Sequence, residues 1–150
     1  MNDKINIEEA KANQKELAEK VILQDLIHNP IEHIGGMDVS NTPFDPNQMI
    51  FGAATVLSYS SLSLVQSATR ANKQLFPYIR GLLGFREVPT LVEAYKKLSI
   101  LPDVILVDGH GVSHPRGLGV ASHLGVLLDV PTIGVAKSIL IGTPAAPLAE

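Results

Sequence analysis

Val104-Ile105-Leu106-Val107-Asp108-Gly109-His110-Gly111 is the stretch whose reading decides the fold. Four consecutive apolar residues, three of them β-branched, predict a central strand covered on both faces, where no position has to be polar. The run stops at an aspartate followed by Gly-His-Gly, so the strand gives way to a tight loop. Open α/β sheets bind ligands at such carboxyl ends, and glycines let backbone approach a substrate closely. At this point Asp108 has two readings, a turn cap and a ligand-site carboxylate.

Moving toward the C-terminus, Leu118 to Leu128 predicts a helix, and Thr132 to Ala136 a second buried strand ending at Lys137. Strand, helix and strand imply a right-handed parallel crossover, which brings Asp108 and Lys137 to the same edge of one sheet. The tail from Gly142 to Glu150, with its prolines and alanines, reads as unstructured. Moving the other way, Leu91, Ala94, Tyr95 and Leu98 follow helical spacing, and Pro89 suits a first turn, so a helix is expected over about 89–99. Residues 50–58 and 62–70 read as strands joined by a tight turn at Ser60-Ser61. Ile34 to Val39 is a short strand carrying Asp38, followed by a loop with Pro43 and Pro46. Ile7 to Ile27 reads as an amphipathic outer helix closed by Asn29-Pro30. The expected class is therefore α/β in a single domain spanning 1–150: a mixed sheet, part antiparallel meander and part parallel βαβ, flanked by helices.

A chain of 150 residues is long enough to hide roughly 70% of its unfolded surface. No run approaches the ~20 apolar residues of a membrane span, and residues 1–9 do not resemble a secretory signal. These features predict a soluble, cytoplasmic protein with no membrane partner. The absence of cysteine excludes disulfides and thiolate metal sites, leaving oxygen and imidazole ligands for any metal. A net charge of −3 argues mildly against a nucleic-acid partner, yet the uneven distribution of charge weakens that objection. Residues 70–116 carry Arg70, Lys73, Arg80, Arg86, Lys96, Lys97 and Arg116 against only Glu87, Glu93, Asp103 and Asp108.

Several residues can carry chemistry. Asp38 interrupts an apolar strand, where a carboxylate costs several kcal/mol unless paired or bound to a cation, or else faces solvent from an edge. Glu87 lies just before the predicted 89–99 helix and reads most simply as a helix-start acid. Together with Asp108 these acids suit Mg²⁺ or Mn²⁺, one or two ions, which prefer oxygen ligands. Such ions lower the pKa of an attacking water and stabilise charge on phosphoryl oxygens. His114 is a candidate for orienting a phosphate, a water or a metal, and His110 for a hydrogen bond within its turn. Lys137 can place a fixed positive charge on a phosphate or stand solvated. Phe76-Pro77-Tyr78-Ile79-Arg80-Gly81-Leu82-Leu83-Gly84-Phe85 is unusually apolar for a loop. Its tip can wedge into a base stack, or the loop can pack as an arm over the core.

Seven segments in order resemble the endonuclease V family: Asp38-Val39-Ser40, Pro77-Tyr78-Ile79, Phe85-Arg86-Glu87, Val107 to Gly111, His114-Pro115-Arg116, Leu118 to His123, and Gly134 to Lys137. The resemblance implies a ribonuclease H-like fold, with Asp38, Glu87 and Asp108 as ligands of a divalent cation, usually Mg²⁺. It implies that Tyr78, with Pro77 and Ile79, fills the gap left by a flipped hypoxanthine. Gly81, Leu83, Gly109 and Gly119 would border the base pocket, and His114 and Lys137 would stand near the active site. The implied reaction hydrolyses the second phosphodiester bond 3′ to inosine, in DNA or RNA, during repair of deaminated adenine.

Two departures from the family pattern stand out. Arg80 replaces the second proline of the usual Pro-Tyr-Ile-Pro-Gly, which loosens the tip and adds a cation. Nothing after Lys137 matches the C-terminal segment that covers the sheet in family members. An uncovered apolar face favours association, so a homodimer through that face is expected. Two alternatives to the nuclease are a non-catalytic homologue with weak nucleic-acid binding, and a small-molecule metallohydrolase built on the Asp-Gly-His-Gly loop.

Overall fold

The computed structural model describes residues 5–25, 27, 29–41 and 47–143. Its elements run α1 (Ile7–Ala18), β1 (His33–Asn41), β2 (Met49–Ser58), β3 (Leu64–Lys73), α2 (Leu83–Tyr95), β4 (Val104–Asp108), α3 (Val120–Leu128) and β5 (Thr132–Val135). One five-stranded sheet has the order β3-β2-β1-β4-β5. β1, β2 and β3 form the antiparallel meander, while β4 lies parallel to both β1 and β5. The expected mixed sheet is therefore the observed one.

Strand alternation gives this sheet two unlike faces. Met37, Ala54, Val56, Ile105 and Val107 point toward α2 and α3 and form the core with Val88, Leu91, Ala94, Val120 and Leu124. Leu91, Ile105, Val107 and Leu124 are at most 1% exposed, and each contributes roughly 1.5–3 kcal/mol by leaving water. The opposite face carries Phe51, Leu106, Ile133 and Val135, and three of these, Phe51 (44%), Ile133 (52%) and Val135 (52%), are open to solvent. β5 was expected to be buried; its burial is instead that of an exposed edge strand, because no described element packs on its open face or beyond its edge.

Two helix boundaries also differ from expectation. The first helix stops at Ala18 rather than Ile27. Its buried residues are Ala10 and Gln14, and beyond them β-branched Val21 and Ile22 favour helix poorly and find no core, Ile22 being 64% exposed. The second helix begins at Leu83, six residues before Pro89, which sits inside it. An interior proline costs about 3 kcal/mol; here its ring is exposed, where water can serve the freed carbonyl, and burial of Leu82, Val88, Leu91 and Ala94 offsets the loss. The Pro43-Pro46 loop and residues 144–150 of the tail lie outside the described residues. No helix among the described residues is long and apolar enough to cross a membrane.

Candidate active site

Met37 pairs with Val107 in the parallel β1–β4 ladder, so Asp38 and Asp108 follow at the same level on neighbouring strands. Both carboxylates are exposed. Asp38 Oδ1 accepts a hydrogen bond from the Val39 amide at 2.6 Å. Glu87 reaches the same end of the sheet from the second turn of α2, not from a loop before the helix. Its pKa is raised to about 7, chiefly by burial; Arg86 opposes the rise, and the charges of Asp38 and Asp108 add to it. Glu87 is therefore within electrostatic reach of both aspartates. Asp38 and Asp108 share the phase of the open face, whereas Glu87 comes from the helix-covered side, so the acids approach the end of the sheet from opposite faces. Among the described residues no group of three His, Asp or Glu side chains is placed so that it could hold a metal ion.

The donor chemistry nonetheless fits a hard divalent cation. All three candidate ligands are carboxylates, and a half-buried Glu87 held between two like charges is what a cation would relieve. Beside the acids, a depression lined by Asp38, Ser40, Phe51, Ala53, Thr69 and Arg70 lies along the sheet, with a cavity of about 350 Å³.

The loop after β4 is pinned from two sides. Gly109 donates to the Val135 carbonyl at 2.9 Å, and Gly119 donates to the Gly111 carbonyl at 2.9 Å. A Cβ on Gly119 would collide with the His110 carbonyl, which explains glycine there. His110 does not bond within its own turn as expected; its Nε2 meets the Ser138 carbonyl at 2.9 Å, tying this loop to the segment after β5. Lys137 is exposed two residues beyond Val135, the partner of Asp108, and so shares the edge predicted for it.

Tyr78 stands 69% exposed at the tip of its loop, with the Arg86 guanidinium 5.8 Å from the ring centroid. Phe76, at the root, stacks on Phe85 at 5.7 Å, and Phe85 meets His123 edge-on at 5.1 Å. Rigid aromatic packing thus supports an exposed aromatic tip. His123 is buried, its pKa lowered to about 4 by burial, and its Nδ1 has no hydrogen-bond partner among the described residues. It faces Gly84, where an added Cβ would lie 2.5 Å away.

His114 is buried as well. Its Nδ1 accepts from the Arg116 amide at 3.2 Å. Burial and the Arg116 charge lower its pKa, against a hydrogen bond to the Gly81 backbone that raises it. Sequence reasoning missed Gln14, which is 1% exposed and donates to the Gly81 and Leu118 carbonyls. Its signal was available: it lies four residues after buried Ala10, in the apolar phase of α1.

Fold and site together define an α/β protein with two aspartates at the carboxyl ends of neighbouring parallel strands and an exposed aromatic loop. The family model for Endonuclease V matches residues 15–150. Endonuclease V of Protochlamydia amoebophila (strain UWE25) is 53% identical over 139 residues, covering 93% of this chain and 59% of that protein. Among solved structures, Endonuclease V from Streptomyces avermitilis is 45% identical with a TM-score of 0.81, over 89% of this chain and 58% of that one. Ciona intestinalis Endonuclease V, in complex with a 24mer DNA containing an inosine followed by a ribo-adenosine, is 35% identical with a TM-score of 0.81, over 95% and 62%. The chain belongs to the endonuclease V family. It spans about three-fifths of the length of the relatives it matches.

Proposed function

We propose that this chain carries the framework of a metal-dependent endonuclease that nicks DNA or RNA at the second phosphodiester bond 3′ to inosine, acting in repair of deaminated adenine. The observation that carries the reading is the placement of Asp38 and Asp108 one residue beyond the Met37–Val107 rung, with Glu87, its pKa raised to about 7, within electrostatic reach of both. In this reading Asp38, Glu87 and Asp108 hold Mg²⁺, or Mn²⁺ in its place. The metal supplies Lewis acidity and an activated water. Lys137 offers its charge to the scissile phosphate, and His114 keeps the loop at Gly81 in place. Tyr78, between Pro77 and Ile79, fills the gap left by the extruded base. Gly81, Leu83, Gly109 and Gly119 border the pocket for that base.

Open acids and an open sheet face favour a second reading, a homologue that binds nucleic acid without cutting it. A second copy of the chain on the Ile133–Val135 face would cover that apolar surface. Purified protein with Mg²⁺ and a labelled inosine oligonucleotide separates the two readings. Nicking that disappears in Asp108→Ala while binding persists supports the nuclease. Binding by folded wild type with no nick supports the non-catalytic homologue.

A further inference from the structure

Gln14 is a fully buried amide on an outer helix, and burying an amide is unfavourable unless its hydrogen bonds are met. Here they are met by distant partners. Nε2 donates to the Gly81 carbonyl and to the Leu118 carbonyl, both at 3.0 Å, across 67 and 104 residues of sequence. Oε1 accepts from Arg116 Nε. Arg116 Nη2 in turn donates to the Gly81 carbonyl at 2.5 Å. Two side chains, themselves hydrogen-bonded to each other, therefore converge on one carbonyl.

The two carbonyls that Gln14 grips stand at strategic places. Gly81 closes the Tyr78 loop in a left-handed conformation, φ +80°, and a Cβ there would meet Arg116 Nη2 at 2.7 Å. Leu118 precedes Gly119. A peptide unit is planar, so holding the Leu118 carbonyl also holds the Gly119 amide, which donates to the Gly111 carbonyl behind Asp108. One amide thus joins α1, the root of the aromatic loop and the loop that follows a candidate metal ligand.

We propose that Gln14 is a positioning residue for base selection: its amide fixes the spacing of the Gly81 and Gly119 walls, and with it the preference for inosine over adenine. This rests on the functional reading above. The two bases differ by exchange of a donor for an acceptor at neighbouring edge positions, so walls built of backbone groups discriminate only if they are held in register. Gln14 does not itself touch the base.

The test uses the whole chain and two fluorescein-labelled single strands, identical except for one inosine or adenine, with affinities read by anisotropy in EDTA. Gln14→Met keeps length and apolar packing but removes every hydrogen bond. Gln14→Glu keeps the Arg116 contact but sets an acceptor against two carbonyls. Both variants are expected to lower the inosine-to-adenine affinity ratio about tenfold, the scale of one buried hydrogen bond. Adenine affinity should stay within about twofold, because tracking of the strand backbone is unaffected. Amide exchange at Gly81 to Leu83 and at Gly119 should accelerate. An unchanged ratio in either variant, folded as judged by cooperative melting, overturns the proposal alone. No inosine preference in the wild type overturns the functional reading and the proposal together.

Discussion

Asp38 and Asp108 leave neighbouring parallel strands at the same level, one residue beyond the Met37–Val107 rung. Sheet register, rather than any loop, sets their separation. If the pair holds a catalytic cation, either Asp38→Asn or Asp108→Asn should lower single-turnover nicking of an inosine strand by about 100-fold or more, since metal assistance is worth several kcal/mol. Affinity for that strand in EDTA should change less than about threefold. Nicking within tenfold of wild type in both variants would show that the acids do something else.

Glu87 makes a prediction about stability. Its folded pKa of about 7 lies above the ordinary value of 4.5, so the folded state holds the proton more tightly than the unfolded chain. Stability from this group is present below about pH 4.5 and is lost as pH rises through 7. Glu87→Gln should therefore stabilise the protein at pH 8 by about 1–3 kcal/mol and leave it nearly unchanged at pH 4.5. Thermal melts at both values decide it; equal shifts at the two values would refute the charge-based explanation.

Because bound metal must displace that proton, Mg²⁺ binding near pH 7 should release protons through Glu87. Calorimetry in two buffers of different ionisation enthalpy reads the number released. We expect a fraction of a proton for wild type and a clear decrease for Glu87→Gln. Equal release from both proteins would place the metal away from Glu87.

Tyr78 is 69% exposed, with the Arg86 guanidinium beside its ring, so its removal should leave the fold intact. Stacking on one base is worth about 1–3 kcal/mol. Tyr78→Ala should weaken binding to inosine strands by roughly 5-fold to 150-fold with an unchanged melting midpoint. A loop that merely packs as an arm predicts the reverse, altered melting and unaltered affinity.

Ile133 and Val135 put two large apolar side chains on an exposed edge strand. Sedimentation at micromolar concentration should show a dimer, and Ile133→Lys should shift it to monomer. A wild-type monomer across that range would rule out the homodimer.

Much of this architecture was legible in the sequence because its signals are local. The apolar run Val104 to Val107, the meander and the position of Asp108 all follow from periodicity and turn chemistry. Pro89 misled, because a proline in a first turn and one inside a well-packed helix look alike until the partners of Leu82 and Val88 are known. β5 misled for a related reason: an apolar strand signals what it can bury against, not whether a covering layer is there. The phase of Gln14 with Ala10 marked it for burial, but its role did not show, because its partners, Gly81 and Leu118, are distant in sequence and are backbone carbonyls, which leave no trace in residue type. Convergence of Asp38, Glu87 and Asp108 on one metal was expected from the family resemblance; Glu87 lies within electrostatic reach of both aspartates, but among the described residues no three such side chains are placed to hold an ion.

The most direct test maps the cut. Wild-type protein, Mg²⁺ and an end-labelled strand with a single inosine should yield one nick at the second phosphodiester bond 3′ to the lesion. The ends should be a 3′-hydroxyl and a 5′-phosphate, and neither the adenine strand nor Asp108→Ala should give a cut. A cut at another bond, or cutting that ignores the lesion or survives loss of Asp108, would contradict the account.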